Sequence, residues 1–200
     1  MTIVGSIHSK LIFSRRTRVL ARHLSQYIVP GSRVLDVGCG DGLIDRMIVE
    51  QTRCSIEGID TIVRPHTQIP VHAFDGVTLP YENQSFEVVM FVDVLHHTRD
   101  PKILLQEAVR VGRMVLIKDH LRNGLLANQT LRLMDWVGNA HHGVALPYNY
   151  LSKSEWEKAF QEVGLRINRI DTELGLYPMP LTLIFGRGLH LLASCTPSAV

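Results

Sequence analysis

The sequence predicts an α/β fold with a largely parallel sheet. Two stretches carry that prediction. Arg33–Val37 is a short, mostly apolar run that ends in three glycines at alternate positions, Gly38, Gly40 and Gly42. Leu43, Ile44, Met47 and Ile48 then follow at helical spacing, so the segment reads as strand, tight turn and helix. Further on, Phe86–Val92 is almost uninterrupted apolar sequence, the pattern of a strand covered on both faces. Asp100-Pro101 opens a helix behind it, with Asp100 as N-cap and Pro101 at the first helical position.

Composition sets the limits around this centre. The chain has 200 residues, 46% apolar and 20% charged, which suits one soluble domain with a substantial core. A formal net charge of +2 argues against a general polyanion binder. Cys39, Cys54 and Cys195 are scattered and odd in number, which points to reduced thiols in a cytoplasm rather than to a disulfide framework or a zinc site. No apolar run approaches the ~20 residues of a membrane span, and the first residues lack the apolar core of a signal peptide. Residues 1–8 read as a loose lead-in and 9–29 as a helix, with Leu20, Leu24, Tyr27 and Ile28 on one face. Arg15, Arg16, Arg18 and Arg22 on the remainder read as a solvated face, or as a peripheral contact with a membrane surface. Pro30-Gly31 ends that helix.

The glycine turn narrows the ligand. Residues without Cβ atoms let a ligand approach main-chain N–H groups closely. A dinucleotide turn reads G-x-G-x-x-G and places a pyrophosphate over the helix. Here the spacing is G-x-G-x-G, and the carboxylate of Asp36 stands two residues before the first glycine. A nearby carboxylate disfavours pyrophosphate and favours a positively charged ligand. Val34-Leu35-Asp36-Val37-Gly38-Cys39-Gly40-Asp41-Gly42 resembles motif I of the class I S-adenosylmethionine (SAM) dependent methyltransferases, in particular the type 11 methyltransferase domain. The resemblance implies SAM as cofactor and S-adenosylhomocysteine as product. It also implies a Rossmann-like seven-stranded sheet in the order 3-2-1-4-5-7-6, with the last strand antiparallel and helices on both faces.

The remaining motifs fall in order behind it. Cys54–Asp60 reads as a second strand ending in an acid, where two ribose hydroxyls could donate to Asp60, with Thr61 and Ile62 flanking the adenine. Thr61–Pro70 holds two prolines and little periodicity, so an irregular connection is expected. Pro70–Asp75 reads as a third strand, and Asp75-Gly76 with Leu79-Pro80 resembles the family's adenine-binding segment, Asp75 accepting the adenine amino group and Gly76 offering its N–H. The resemblance places the backbone near Val92 and the segment through Leu95 along the methionine end. His96-His97 there commonly supports a turn.

Gly112–Asp119 reads as a fifth strand that delivers Lys118, Asp119 and His120 to the rim, and Asp119 and His120 are the candidate catalytic groups. Residues 121–150 read as a substrate-lid insertion within the single domain 1–200: a helix from Asn123 to Val137, then a loop containing His141 and His142. Adjacent histidines alone are weak evidence for a metal, and none is expected. Ser152 and Glu155 form a capping box. Leu165–Thr172 and Leu189–Ser194 read as the last two strands, with a mobile apolar loop, 174–188, between them. A small, partly hydrophobic acceptor fits this make-up. A nucleic-acid (RNA) methyltransferase is less favoured, because Val94-Leu95 follow Asp93 where an Asn/Asp-Pro-Pro-Tyr/Phe pattern would be needed. A non-catalytic SAM-binding protein is the remaining alternative.

Overall fold

The computed structural model describes residues 3–139 and 147–198. Strands β1 (Arg33–Val37), β2 (Ser55–Asp60), β3 (Val71–Ala73), β4 (Phe86–Val92), β5 (Gly112–His120), β6 (Leu165–Asp171) and β7 (His190–Pro197) form one sheet in the order β3-β2-β1-β4-β5-β7-β6. The first five pair in parallel, and β7 lies antiparallel between β5 and β6. This is the expected order, and β1 and β4 are its middle.

Alternation along those two strands divides the core. Leu35, Val37, Val89 and Phe91 point to one face, where they pack with Leu104, Leu105, Trp156 and Phe160 from helices α3 (Pro101–Val111) and α5 (Lys153–Glu162). Val34, Val88 and Met90 point to the other, against Leu20, Leu24 and Ile48 from α1 (Ile3–Ser25) and α2 (Leu43–Thr52). Asp36 shares the parity of Val34, so the pleat aims a carboxylate at the α1/α2 side, where it is buried. The caps behave as expected. Asp100 accepts from the Lys102 N–H, and Ser152 and Glu155 bond reciprocally.

Several boundaries differ from the sequence reading. α1 begins at Ile3 and ends at Ser25, so residues 3–8 belong to the helix rather than to a lead-in. On α3 the helical spacing places Ile103, Leu104 and Ala108 toward the sheet; Leu104 and Ala108 are buried there, whereas Ile103 is exposed and Leu105 is buried in its stead. α4 (Ala127–Asn139) starts four residues after Asn123, beyond the positive-φ residues Gly124 and Leu126. The expected loop through His141 and His142 lies outside the described residues. In the 174–188 segment, Leu174, Leu176 and Tyr177 are buried in the α1 side of the core. Its middle is exposed, with Met179, Leu183 and Ile184 around the short α6 (Thr182–Phe185). No helix among the described residues is long and apolar enough to cross a membrane.

The glycine turn depends on a close approach behind it. A Cβ added at Gly58 of β2 would run into the Cys39 sulfur. Gly58→Ala should therefore lower stability by about 1–3 kcal/mol, as overpacking does. Urea denaturation measures this, and adding Cys39→Ala to the same chain should recover part of the loss, because the Cys39 Cβ that remains lies 2.9 Å from the added Cβ.

Candidate functional site

A cavity of about 430 Å³ opens over the turn between β1 and α2. Its floor is Asp36, Gly38, Cys39, Gly40 and Asp41; Leu43, Ile44 and Asp45 of α2 form one wall, Val92 and Asp93 at the end of β4 another. Phe13 and Thr17 of α1 cover it, and Arg64 reaches in from the β2–β3 connection. Gly38 sits at φ 79°, and a Cβ there would lie 2.5 Å from Val94 Cγ2, so no side chain fits. Asp60 ties the neighbouring strand ends together. Its carboxylate accepts from the Gly40 N–H at 2.9 Å and from the Ile62 N–H at 3.0 Å.

The acids around this cavity are held in two different states. Asp36 Oδ1 and both carboxyl oxygens of Asp45 are buried without a donor in the protein, so the contact open to the pair is with each other, through a shared proton. Burial raises the Asp36 carboxyl well above its usual range, with the nearby Asp45 and Asp60 adding to it. Burial also pushes Asp45 up to about 6, against hydrogen bonding to Asp36 that pulls it down. Asp93 is the opposite case. Burial would raise it, but Lys118, His120 and Arg16 outweigh that and hold it well below the carboxylate range. The Lys118 ammonium, itself fully buried, contacts Asp93 Oδ1, and Arg16 lies 3.6 Å from Oδ2. Arg16 thus turns from the basic stripe of α1 into the cleft, over the ring of Tyr177. Arg15 donates to the Gly175 carbonyl and Arg18 to Ser14, so the stripe is partly spent on the protein itself.

Behind Asp93 lies a buried polar cluster. Asp119 accepts from the N–H groups of Leu95, His96 and His120 at 2.9, 3.3 and 2.6 Å and contacts His96 Nδ1 at 2.6 Å. On the far side of that ring, His96 Nε2 faces Asp135 of α4 at 3.4 Å. Burial lowers the His96 pKa, but Asp119 and Asp135 outweigh it and raise it to about 10. His120 is pressed well below its normal value, chiefly by burial.

The structure therefore sorts the sequence-predicted residues. Asp36, Gly38, Gly40 and Val92 line the cavity. Asp60, Thr61, Ile62, Asp75 and Gly76 are not among the lining residues; they lie at or just after the ends of β2 and β3, and Asp60 reaches the glycine turn through the Gly40 N–H. A Cβ on Gly76 would lie 3.1 Å from Thr61 Cγ2, and the exposed Asp75 accepts from the N–H groups of Val77 and Thr78. Leu95 is a correction: its side chain is fully buried in the α3 side of the core and its N–H is bound to Asp119, so it supports the turn and does not wall the cleft. Lys118, Asp119 and His120 were expected at the rim. All three are buried instead, and every Asp119 contact given above is to the protein. In this geometry Asp119 holds the turn after β4. The histidine pair supports the turn, as expected, through His96. Sequence reasoning missed Thr17, Asp45 and Arg64. Thr17 was legible, since Phe13, Thr17, Ala21 and Leu24 follow helical spacing and Thr17 breaks an apolar row. Asp45 was legible as a polar residue on the inward face of α2, while nothing local marked Arg64.

Comparison with known proteins agrees with this geometry. The family model described as a methyltransferase domain matches residues 10–169. The ubiquinone biosynthesis O-methyltransferase of Hahella chejuensis is 31% identical over 97 residues, covering 42% of this chain and 40% of the relative. The enzyme of the same name from Aliivibrio fischeri is 28% identical over 183 residues, covering 80% of this chain and 74% of the relative. Among solved structures, a chain of the complex between the Haloferax volcanii Trm112 methyltransferase activator and a methyltransferase superposes with a TM-score of 0.69 at 17% identity, covering 98% of this chain and 96% of that one. At that identity the likeness is one of fold.

The acid pair has a stability signature. Asp45 has a folded pKa of about 6, above the unfolded value near 3.8, so its contribution is full below about pH 4 and is lost as pH rises through 6. Asp45→Asn should remove that loss. Relative to the parent, the ligand-free variant should gain on the order of 2–3 kcal/mol between pH 4 and pH 7.5, measured by urea denaturation at both values.

Proposed function

Since the chain belongs to the class I S-adenosylmethionine-dependent methyltransferases, we propose that it transfers the methyl group of SAM to a small, partly apolar acceptor held beside Asp93 and releases S-adenosylhomocysteine. One observation carries this reading: the cavity over the glycine turn is lined by four acidic side chains, Asp36, Asp41, Asp45 and Asp93, and by one basic side chain, Arg64, while Arg16 and Lys118 meet Asp93 from outside that lining. SAM brings an ammonium and a sulfonium. The buried oxygens of Asp36 and Asp45 that lack a donor suit the ammonium, and the ionised Asp93 suits the positive charge at sulfur.

The other roles follow the shape of the site. Asp60 holds the ribose hydroxyls while its bond to Gly40 keeps the turn closed. Thr61 and Ile62 flank the adenine, and Asp75 with the Gly76 N–H reads its polar edge. Val92 borders the methionine end, and Phe13 and Thr17 close the cleft from above. When bound, SAM supplies the electrophilic methyl, to which an acceptor atom bonds as the carbon–sulfur bond breaks. The chain's own contribution is alignment: a near-attack geometry in a cleft fixed by strand ends. Asp119 and His120 lie below the floor and position Asp93 and the turn. The relatives named for O-methylation in ubiquinone biosynthesis favour a hydroxyl acceptor on a quinol-like or lipid-like molecule, whose hydroxyl proton passes to solvent as the methyl is transferred.

Isothermal titration should show binding of SAM and S-adenosylhomocysteine but no comparable binding of NAD. NAD binding without SAM binding would overturn the reading. Asp60→Ala should weaken SAM binding by roughly 1.5–3 kcal/mol, the range for hydrogen bonds to a charged group. With labelled SAM, transfer to a phenolic or catecholic small molecule is expected; label appearing only in RNA would reassign the acceptor.

A further inference from the structure

Three buried side chains from three separate elements converge behind the cleft: His96 after β4, His120 at the end of β5, and Asp135 on α4. Each offers one ligand atom, and these atoms all lie within 4.8 Å of one another. We propose that His96, His120 and Asp135 bind a divalent transition-metal ion of the zinc class, at a site behind the cleft that neighbours Asp93 through His120.

The spacings are those of a coordination sphere. His96 Nε2 stands 3.4 Å from Asp135 Oδ2, and His120 Nε2 stands 3.8 Å from Asp135 Oδ1. Both are long for a direct N–H···O hydrogen bond. Two ligands bonded to one zinc ion at tetrahedral angles lie about 3.3 Å apart, so small rotations of side chains already in place close the sphere. His96 Nε2 is buried without a hydrogen-bond partner. With Nδ1 held by Asp119, a metal ion that displaces the Nε2 proton would stand between the ring and the Asp135 carboxylate.

The supporting groups match the same chemistry. A metal-binding histidine characteristically gives its other ring nitrogen to a carboxylate, which fixes tautomer and orientation. Asp119 does this for His96 at 2.6 Å. The Tyr150 hydroxyl donates to Asp135 Oδ2 at 2.5 Å and fixes the carboxylate in turn. Two imidazoles and one carboxylate select zinc, cobalt or nickel over magnesium or calcium, which take oxygen ligands. The ion would clamp α4 to the strand ends.

The test uses the full-length protein, stripped with a chelator and then given zinc or cobalt chloride. About one equivalent of zinc should survive dialysis, the melting temperature should rise, and cobalt should give the visible absorption of a nitrogen- and oxygen-ligated ion. Asp135→Asn keeps the shape and the partner of Tyr150, and should lose retention. Asp119→Asn should weaken binding about 10–100-fold. His141→Ala/His142→Ala should keep the metal. Failure of the parent protein to retain either ion, with an unchanged melting temperature, overturns the proposal without recourse to any variant. So does retention that Asp135→Asn leaves intact, or that the 141/142 variant abolishes. SAM titration on the same samples keeps this outcome separate from the proposed function.

Discussion

The carboxylate of Asp119 is the fixed point on which both halves of the cleft depend. It is fully buried, yet it accepts from three backbone N–H groups and meets the His96 ring, so its charge is met on all sides. Two of those N–H groups belong to the turn after β4. Holding that turn fixes Val94, whose side chain occupies the space a Cβ on Gly38 would need. It also fixes Asp93, which stands at φ 58°. The glycine turn after β1 is therefore shaped from across the sheet, by a strand two places away in the order. A buried carboxylate is costly to leave unpaired, and that cost is what makes the arrangement rigid.

The site treats its acids according to what surrounds them. Asp93 has cations against it and stays ionised. Asp36 and Asp45 have each other and burial, and resist ionising. The first is a standing negative charge at the floor. The second is a negative charge held in reserve, released when a cation takes the place of a proton. Both features come from topology: the pleat of β1 aims Asp36 at α2, and the end of β5 brings Lys118 beneath β4.

Much of this was legible in the sequence because it is local. The glycine spacing, the apolar run of β4, the caps at Asp100 and Ser152 and the acid ending β2 all have short-range causes, and the family motif fixed the strand order. What was not legible depends on contacts between distant segments. Lys118, Asp119 and His120 end a strand, so a position at the rim was the natural expectation. They are buried because α4, α5 and β7 close over that end of the sheet: the Trp156 indole donates to the His120 carbonyl, and β7 pairs along all three residues. Leu95 carries a motif position, but its side chain points to the core. Leu174, Leu176 and Tyr177 fall in the stretch read as a loop and are core because α1 offers them a partner.

Arg64 has a consequence for turnover. Its guanidinium rests against the glycine turn, with Nη2 3.4 Å from where a Cβ on Gly40 would stand, on a connection whose residues are largely exposed. In the ligand-free protein it is a tethered counterion for an acid-lined cleft. On the proposed reaction the incoming molecule carries one more positive charge than the molecule that leaves, since the sulfonium becomes a neutral thioether. The tethered counterion competes with both. It competes on better terms after transfer, when the attraction of the carboxylates for the occupant has weakened by that unit. On the proposed reaction Arg64 would act as an electrostatic return spring, biasing the cleft to empty once the methyl has gone.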